Sequence, residues 1–354
     1  MEHKALDLIE QLDSTHSLTV EEYELLLQNR TDAVRARLAE LAVNRAHEAY
    51  GNKIFVRGLM EISNICKNGC HYCGISRENK VCDRYRLTPE QIFACAAEGH
   101  ELGFRTFVMQ GGEDSWFTDD RMCQIIRELK RRFPDCAVTL SLGERSHESY
   151  QRLYDAGADR YLLRHETADR EHYGLLHPED LSFDHRRACL DDLHAIGYQT
   201  GCGFMVGSPY QALRHMARDL KYIEEFSPEM CGIGPFIPHK DTIFRDFPAG
   251  TVELTCFLLS VIRCMKPNVL LPATTALGSI DPVGREKGIL SGANVVMPNL
   301  SPPDVRDKYM LYNNKLSTGP EAAQNLLELK RRMAAIGYEV VVDRGDFRQK
   351  ERNS

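Results

Sequence analysis

The sequence predicts an α/β fold, a closed (β/α)8 barrel of the TIM type with helical extensions at both ends. Three observations lead there. Eight short apolar runs alternate with amphipathic, helix-compatible stretches, the pattern of a parallel sheet wrapped by helices. Polar or charged residues stand at the C-terminal end of nearly every run, where a closed barrel gathers them at one mouth. The length, 354 residues, is one that a single α/β barrel can fill.

The elements follow in order. Residues 1–50 read as a helical extension, with Ser17 to Glu22 (SLTVEE) forming a capping-box-like start. The barrel is expected over 51–318. Its strand candidates are KIFVRGLMEIS (53–63), TFVMQGG (106–112), AVTLSLG (137–143) and RYLLRHE (160–166). QTGCGFMVG (199–207), MCGIGPFIP (230–238), NVLLPATT (268–275) and ANVVMPN (293–299) complete the eight. The polar strand ends are Asn64, Gln110 with Glu113, Ser141 with Glu144, Arg164 with Glu166, Thr274, Thr275 and Asn299. Residues 319–354 read as a helix (PEAAQNLLELKRRMAAIG), then YEVVVD and a charged end, packed on the barrel. No linker rich in Pro, Gly or Ser divides the chain, so one domain with extensions is the simplest organisation.

Composition narrows the function. With 44 basic and 51 acidic residues the net charge is −7, and neither sign forms a long run. No concentrated basic face marks a nucleic-acid partner. No apolar run has the length of a membrane span, and the charged, helical start is unlike a secretory signal. A cytoplasmic location is expected. Nine of the twelve cysteines are scattered singly through apolar stretches and read as small core residues.

The other three are different. Cys66, Cys70 and Cys73 stand in C-x3-C-x2-C spacing within NICKNGCHYCG, on the loop after the first strand. A redox pair needs two thiols and a closed tetrahedral zinc site four ligands. Three thiolates suit a four-iron cluster with one iron left open to an external ligand. A zinc site completed by His71 or a more distant residue is the competing reading.

This spacing, with Tyr72 before the last cysteine, resembles the radical S-adenosylmethionine (SAM) superfamily. The resemblance extends to RGLMEISNICKNGCHYCG, GGED, VTLSLGE, ADRYLLRHETAD, GIGPFIPHKDT, PATTALG and GANVVMPN, between about residues 52 and 312. Together these blocks resemble the HydE family of FeFe-hydrogenase maturases. LLRHET and PATTA set that family apart from biotin synthase and methylornithine synthase.

The resemblance implies roles for individual residues. Cys66, Cys70 and Cys73 would ligate one four-iron cluster. Tyr72 would pack near the adenine of SAM, and the backbone at Gly112 and Glu113 would hold the methionine amino group. Glu166 would take the ribose hydroxyls, a task suited to an ionised carboxylate that only accepts. Arg164 would contact SAM as well, although a structural Arg164–Glu166 pair would look the same in sequence. Arg186 would meet the SAM carboxylate, with Arg187 beside it as a rival for that role. Met205 would lie over the adenosyl region.

For the substrate, the resemblance implies Arg160 and the pair Thr274–Thr275, with Thr139, Met297, Tyr309 and Arg57 as further pocket residues. Family members often carry serine where this chain has Gly111. Some also hold a second cluster on cysteines near the C-terminus, but no cysteine follows Cys264 here. One cluster per chain is therefore expected.

The implied function is reductive cleavage of SAM to a 5′-deoxyadenosyl radical in assembly of the di-iron subcluster of FeFe-hydrogenase. The substrate would be a small cysteine-ligated iron–carbonyl–cyanide complex. The implied partners are the companion maturases HydG and HydF and an electron donor such as ferredoxin or flavodoxin. Two alternatives stand beside this. One is another radical SAM reaction on an amino-acid-derived substrate, like that of methylornithine synthase. The other is a non-catalytic iron–sulfur carrier, which would have no need of GGE or the fourth-strand Glu166.

Overall fold

The computed structural model describes residues 1–316 and 322–348. Three helices lead the chain: α1 (Glu2–Thr15), α2 (Val20–Gln28) and α3 (Asp32–Tyr50). The capping box of α2 is made by Thr19 and Glu22, within the stretch expected to start a helix. These helices pack on the barrel's outer helices. His16 Nδ1 meets the carbonyl of Cys264 at 2.7 Å, and the Tyr23 hydroxyl donates to Glu224 at 2.8 Å. Their apolar side chains belong to the same continuous core as the barrel.

The first expected strand is broken at Arg57 into β1 (Lys53–Val56) and β2 (Gly58–Ser63). Then come α4 (Pro89–Glu101), β3 (Thr106–Gly111), α5 (Asp119–Arg132), β4 (Ala137–Ser141), α6 (His147–Asp155) and β5 (Arg160–Leu162). Two helices, α7 (Arg170–Leu176) and α8 (Phe183–Ile196), precede β6 (Gln199–Cys202) and β7 (Met205–Val206). After α9 (Leu213–Phe226) lie β8 (Met230–Cys231) and β9 (Gly234–Pro235), then α10 (Val252–Met265). The chain continues through α11 (Thr275–Ile280), α12 (Gly284–Ile289) and β10 (Val295–Val296) to α13 (Leu326–Ala335) and β11 (Glu339–Val341).

The helices start where their sequences say they should. Thr88 and Gln91 form a capping box ahead of Pro89, and Thr118, Ser146, Ser182 and Thr251 each cap a following helix. In α5, Asp119 and Asp120 occupy the first turn and Lys130 to Arg132 the last, matching the helix dipole.

Six strands pair in the order β2-β3-β4-β5-β6-β8, each neighbouring pair parallel. The ring then closes through short contacts. Met230 bridges to Leu270, Pro272 to Val295, β10 pairs with β1, and Leu59 bridges to Asn299. The seventh expected strand (268–275) thus survives only as bridges, because Pro272 removes a ladder donor there. Eight parallel positions enclose one barrel, as the sequence predicts.

The C-terminal helix is shorter than expected: α13 begins at Leu326 after a single 3-10 turn, Ala323–Asn325. The start of the expected helix, at 319–321, lies outside the described residues. YEVVVD supplies β11, which pairs parallel with β1. Beyond it the chain runs beneath the N-terminal end of the barrel.

Candidate active site

The cysteine loop joins β2 to α4 across the mouth of the barrel. Arg84 braces it from within, its guanidinium donating to the carbonyls of Asn64 (2.5 Å), Ile75 (2.8 Å), Ser76 (2.7 Å) and Asn79 (3.0 Å). Cys66 Sγ accepts backbone N–H groups from Asn68 at 3.5 Å and Glu113 at 3.3 Å. That contact needs Gly112. A Cβ there would lie 2.3 Å from the Ile65 carbonyl oxygen and 2.7 Å from Cys66 Cβ. Glycine lets the end of β3 touch the loop.

All three cysteines are free and partly buried. Burial pushes each thiol up, Cys73 to about 12. A bound metal would have to draw off those protons. Among the described residues the three sulfurs do not converge within 4.8 Å of one another, as ligands of one ion would. Wider spacing suits a cluster in which each thiolate takes a different iron. His71 turns away from such a role: its Nδ1 meets the carbonyl of Leu175 at 3.2 Å.

Below the loop lies a cavity of about 310 Å³ that reaches Cys73 and Tyr72. Arg164, Glu166, Arg186 and Met205 line it, as do Thr274, Thr275, Met297 and Tyr309. Of the polar strand ends, Gln110 and Ser141 also face it. Among the described residues two of its polar atoms, Glu166 Oε2 and Thr274 Oγ1, are buried with neither a hydrogen-bond nor an ion-pair partner. Such atoms are costly unless a ligand meets them.

Glu166 is further set apart by its backbone, which takes φ 64° although the residue carries a side chain. A parallel bridge to Phe204 and a hydrogen bond from its N–H to the Gly203 carbonyl (3.1 Å) hold it there. Strain of this kind persists where the surroundings over-determine it, often at a ligand clamp. Thr274 is the N-cap of α11, yet its hydroxyl makes no capping bond. Arg164 Nε donates to the Gly232 carbonyl at 3.0 Å rather than pairing with Glu166.

Arg186 Nε lies 2.6 Å from Glu144 Oε1. Burial works against its charge, but Glu144 and the neighbouring acidic groups hold it above the ordinary arginine value. Arg187 instead stacks over Tyr222, 3.7 Å from the ring centre, and does not line the cavity. Tyr72 shares a hydrogen bond of 3.3 Å with His177 Nε2. Burial drives His177 down to about 3, so it is neutral at pH 7.

Residues 60–223 match the radical SAM superfamily model. The chain is 43% identical over 279 residues to the FeFe-hydrogenase maturase subunit HydE of Thermotoga maritima, covering 79% of each. The chain belongs to the HydE family of radical SAM enzymes. It is also 26% identical over 348 residues to 3-methylornithine synthase of Methanosarcina barkeri, covering 93% of this chain and 94% of that one. Among solved structures, methylornithine synthase superposes with a TM-score of 0.80 at 23% identity, covering 94% and 97% of the two chains. The FeFe-hydrogenase maturase HydG gives 0.80 at 21% identity over 96% of this chain and 76% of that one. At those identities the structures show a shared fold.

Membership implies a four-iron cluster and SAM, and the residues present fit them. Three free thiols share one loop, Cys73 lining the cavity, and unmet polar atoms lie in that cavity. Gly112 and Glu113 touch Cys66 but do not line this cavity; they line a neighbouring cleft with Lys67 and Glu144. The Glu113 carboxylate pairs with Lys67 at 3.1 Å and accepts the Glu144 N–H at 2.9 Å.

Three residues expected at the substrate lie elsewhere, and these placements are corrections. Arg160 is the first residue of β5, at the N-terminal floor of the barrel, away from the mouth. It donates to Thr106 (3.0 Å), Gln199 (3.2 Å), the Arg344 carbonyl (2.9 Å) and Asp346 (2.5 Å). Arg57 is buried nearby, its guanidinium reaching Met230 Sδ at 3.0 Å and the Gly345 carbonyl at 3.4 Å. Thr139 sits mid-strand in β4, in register with Arg160, and does not line the cavity.

Sequence reading in turn missed Glu61, Lys315 and His177. Glu61 and Lys315 line the cavity and pair at 2.7 Å. Glu61 was hidden inside an apolar strand, and Lys315 stands in a loop with no periodicity. His177 carried no signal beyond its residue type.

Proposed function

We propose that this HydE-family enzyme binds one four-iron cluster at Cys66, Cys70 and Cys73 and serves in assembly of the di-iron subcluster of FeFe-hydrogenase. Held by these three thiolates, the cluster would supply the one-electron chemistry for reductive cleavage of SAM to methionine and a 5′-deoxyadenosyl radical. The 43% identity to a HydE maturase over most of both chains carries the maturation reading.

The chain's own residues orient and enclose. Glu166, pre-set by its backbone and with one oxygen unmet, takes the ribose hydroxyls. Arg186, kept charged beside Glu144, offers its remaining donors to the SAM carboxylate. Tyr72 and Met205 supply apolar contact for the adenosyl group, and neutral His177 fixes the Tyr72 ring without adding charge. Gly112 and Glu113 present backbone for the amino group. Thr274, Thr275, Met297 and Tyr309 form the substrate wall. A cavity closed in this way keeps water and solvent hydrogen from a radical.

The substrate is a cysteine-ligated iron–carbonyl–cyanide complex, with HydG and HydF as companions and a ferredoxin or flavodoxin as electron source. Anaerobic reconstitution should give about four irons per chain, and reduction with SAM should release 5′-deoxyadenosine. About eight irons, or zinc alone, would refute the single cluster. Addition to a maturation mixture lacking only its HydE should restore hydrogenase activity. Failure there, with SAM cleavage intact, would move the chemistry to another radical SAM reaction such as a methylornithine synthase-like rearrangement.

A further inference from the structure

The cavity contains a second charged feature that the assigned roles leave unused. Glu61, on β2, is fully buried, and the Lys315 side chain is only 6% exposed. Their charged atoms lie 2.7 Å apart. The other Glu61 oxygen accepts Asn299 Nδ2 at 3.0 Å, and Lys315 Nζ stands 5.4 Å from the centre of the Tyr309 ring. Tyr309 is in turn held by Gln110, whose amide donates to its hydroxyl at 3.3 Å.

Lys315 arrives from a strap laid across the mouth. The Leu311 carbonyl accepts from Gly74 N–H in the cysteine loop at 2.9 Å. Asn313 N–H donates to Pro238 at 3.0 Å, and its side chain accepts from Lys240 N–H at 3.0 Å. The strap thus fixes the lysine over the cavity from two loops. A buried pair like this costs several kcal/mol of desolvation, and two apolar side chains would close the wall as well.

We infer that Glu61 and Lys315 form a recognition subsite for the zwitterionic end of an α-amino acid, with Lys315 taking its carboxylate and Glu61 its ammonium group. Charge balance decides the ligand class. The pair is neutral together, so a ligand with only a carboxylate would take Lys315 and strand Glu61 uncompensated. A simple amine would strand Lys315. Only a group carrying both charges can exchange partners with both residues at once and leave no buried charge unpaired. The ammonium's three donors and the Tyr309 ring allow Lys315 to turn without losing every partner. This inference rests on the proposed cysteine-ligated substrate and names the part of it that the cavity reads.

The test uses reconstituted, SAM-loaded enzyme and three thioether probes that do not present a free thiol to the cluster. S-methyl-L-cysteine carries both charges, 2-(methylthio)ethylamine lacks the carboxylate, and 3-(methylthio)propionate lacks the amine. Calorimetry should show the zwitterion bound at least about tenfold more tightly than either, the scale of one charge-assisted hydrogen bond. Lys315→Met should abolish the preference for zwitterion over amine, and Glu61→Gln the preference over acid. Either single change leaves a buried charge alone and could unfold the chain, so the double Glu61→Gln, Lys315→Met variant is included. It should fold and bind all three probes equally. Equal binding by the unmutated protein, no binding of any probe, or a preference retained in the double variant would each overturn the subsite. Maturation activity is scored separately. A zwitterion preference without maturation would keep the subsite and remove the maturase reading, and maturation without a preference would do the reverse.

Discussion

At the two ends of this barrel Arg160 and Glu166, both buried, are handled in opposite ways. At the floor, residues 344–347 run under the strands and satisfy Arg160 with Asp346, the Arg344 carbonyl, Thr106 and Gln199. Arg344 closes the network onto Asp346 and Asp159 at 2.8 and 2.9 Å. At the mouth, Glu166 Oε2 and Thr274 Oγ1 are left unmet, and Glu166 also bears a strained backbone. Arg160 is committed to holding the floor together, whereas Glu166 keeps hydrogen-bonding capacity in reserve. Buried charge alone is therefore a poor marker of a site, and unmet capacity alone is no better, since Arg57 Nε and Thr139 Oγ1 near the floor are also buried without a partner; at the mouth it coincides with a cavity.

The largest effect should come from the mouth. Changing Cys66, Cys70 and Cys73 together to alanine should eliminate bound iron and SAM cleavage. The scattered cysteines should tolerate serine or alanine without loss of iron, seven of them being buried among core side chains. Iron retained in the triple variant would dissolve the distinction between the two sets.

The floor should answer differently. Arg160→Met should lower unfolding stability by about 2–3 kcal/mol, the scale of a lost charge-assisted hydrogen bond in a fully buried place. SAM affinity of the folded fraction should not change. If Arg160→Met left the melting temperature untouched and removed coupled activity, the floor would be part of the substrate site after all. Glu166→Gln should show the converse. The cluster spectrum and the melting temperature should hold, while SAM affinity drops about ten- to a hundredfold, again one charge-assisted bond. Normal SAM binding in that variant would make Glu166 a structural residue.

Thr274→Val is a finer probe of the same contrast. Among the described residues no hydrogen bond uses the Thr274 hydroxyl, so stability should stay within about 0.5 kcal/mol, as for changes away from special features. Turnover with substrate should still fall severalfold if the hydroxyl meets the ligand. A loss of stability of about 1 kcal/mol or more would mean that it serves the fold.

Much of this arrangement was legible in the sequence. The strand–helix alternation gave the closed barrel, and the strand-end series placed Gln110, Ser141, Arg164, Glu166, Thr274 and Thr275 on one cavity. Spacing alone singled out the cysteine loop. What could not be read was depth along a strand. Arg160 and Arg164 sit four residues apart in one apolar run, yet one meets the tail at the floor and the other lines the mouth. The tail that decides this, DRGDF, has no periodicity and pairs with residues far away in the chain. Lys315 escaped for the same reason: its partner Glu61 is remote, and a loop lysine reads as solvated.

The smallest expected effect tests whether the mouth titrates where the floor does not. Burial, reinforced by Arg186, lowers His177 to about 3 from an ordinary value of 6.5. Its folded-state value is depressed, so below pH 6.5 the unfolded chain binds a proton that the native chain refuses. The stability His177 contributes is full above pH 6.5 and is lost as the pH falls towards 3. Between pH 7 and pH 6 that amounts to about 0.5–1 kcal/mol. The floor network of arginines and carboxylates has no group with an ordinary value in that interval. His177→Phe should therefore flatten the fall in melting temperature between pH 7 and pH 6, and Arg160→Met should shift the whole curve down without changing its slope. Parallel curves for the wild type and His177→Phe would show that the imidazole is not held neutral against Tyr72, and its place in fixing that ring would have to be given up.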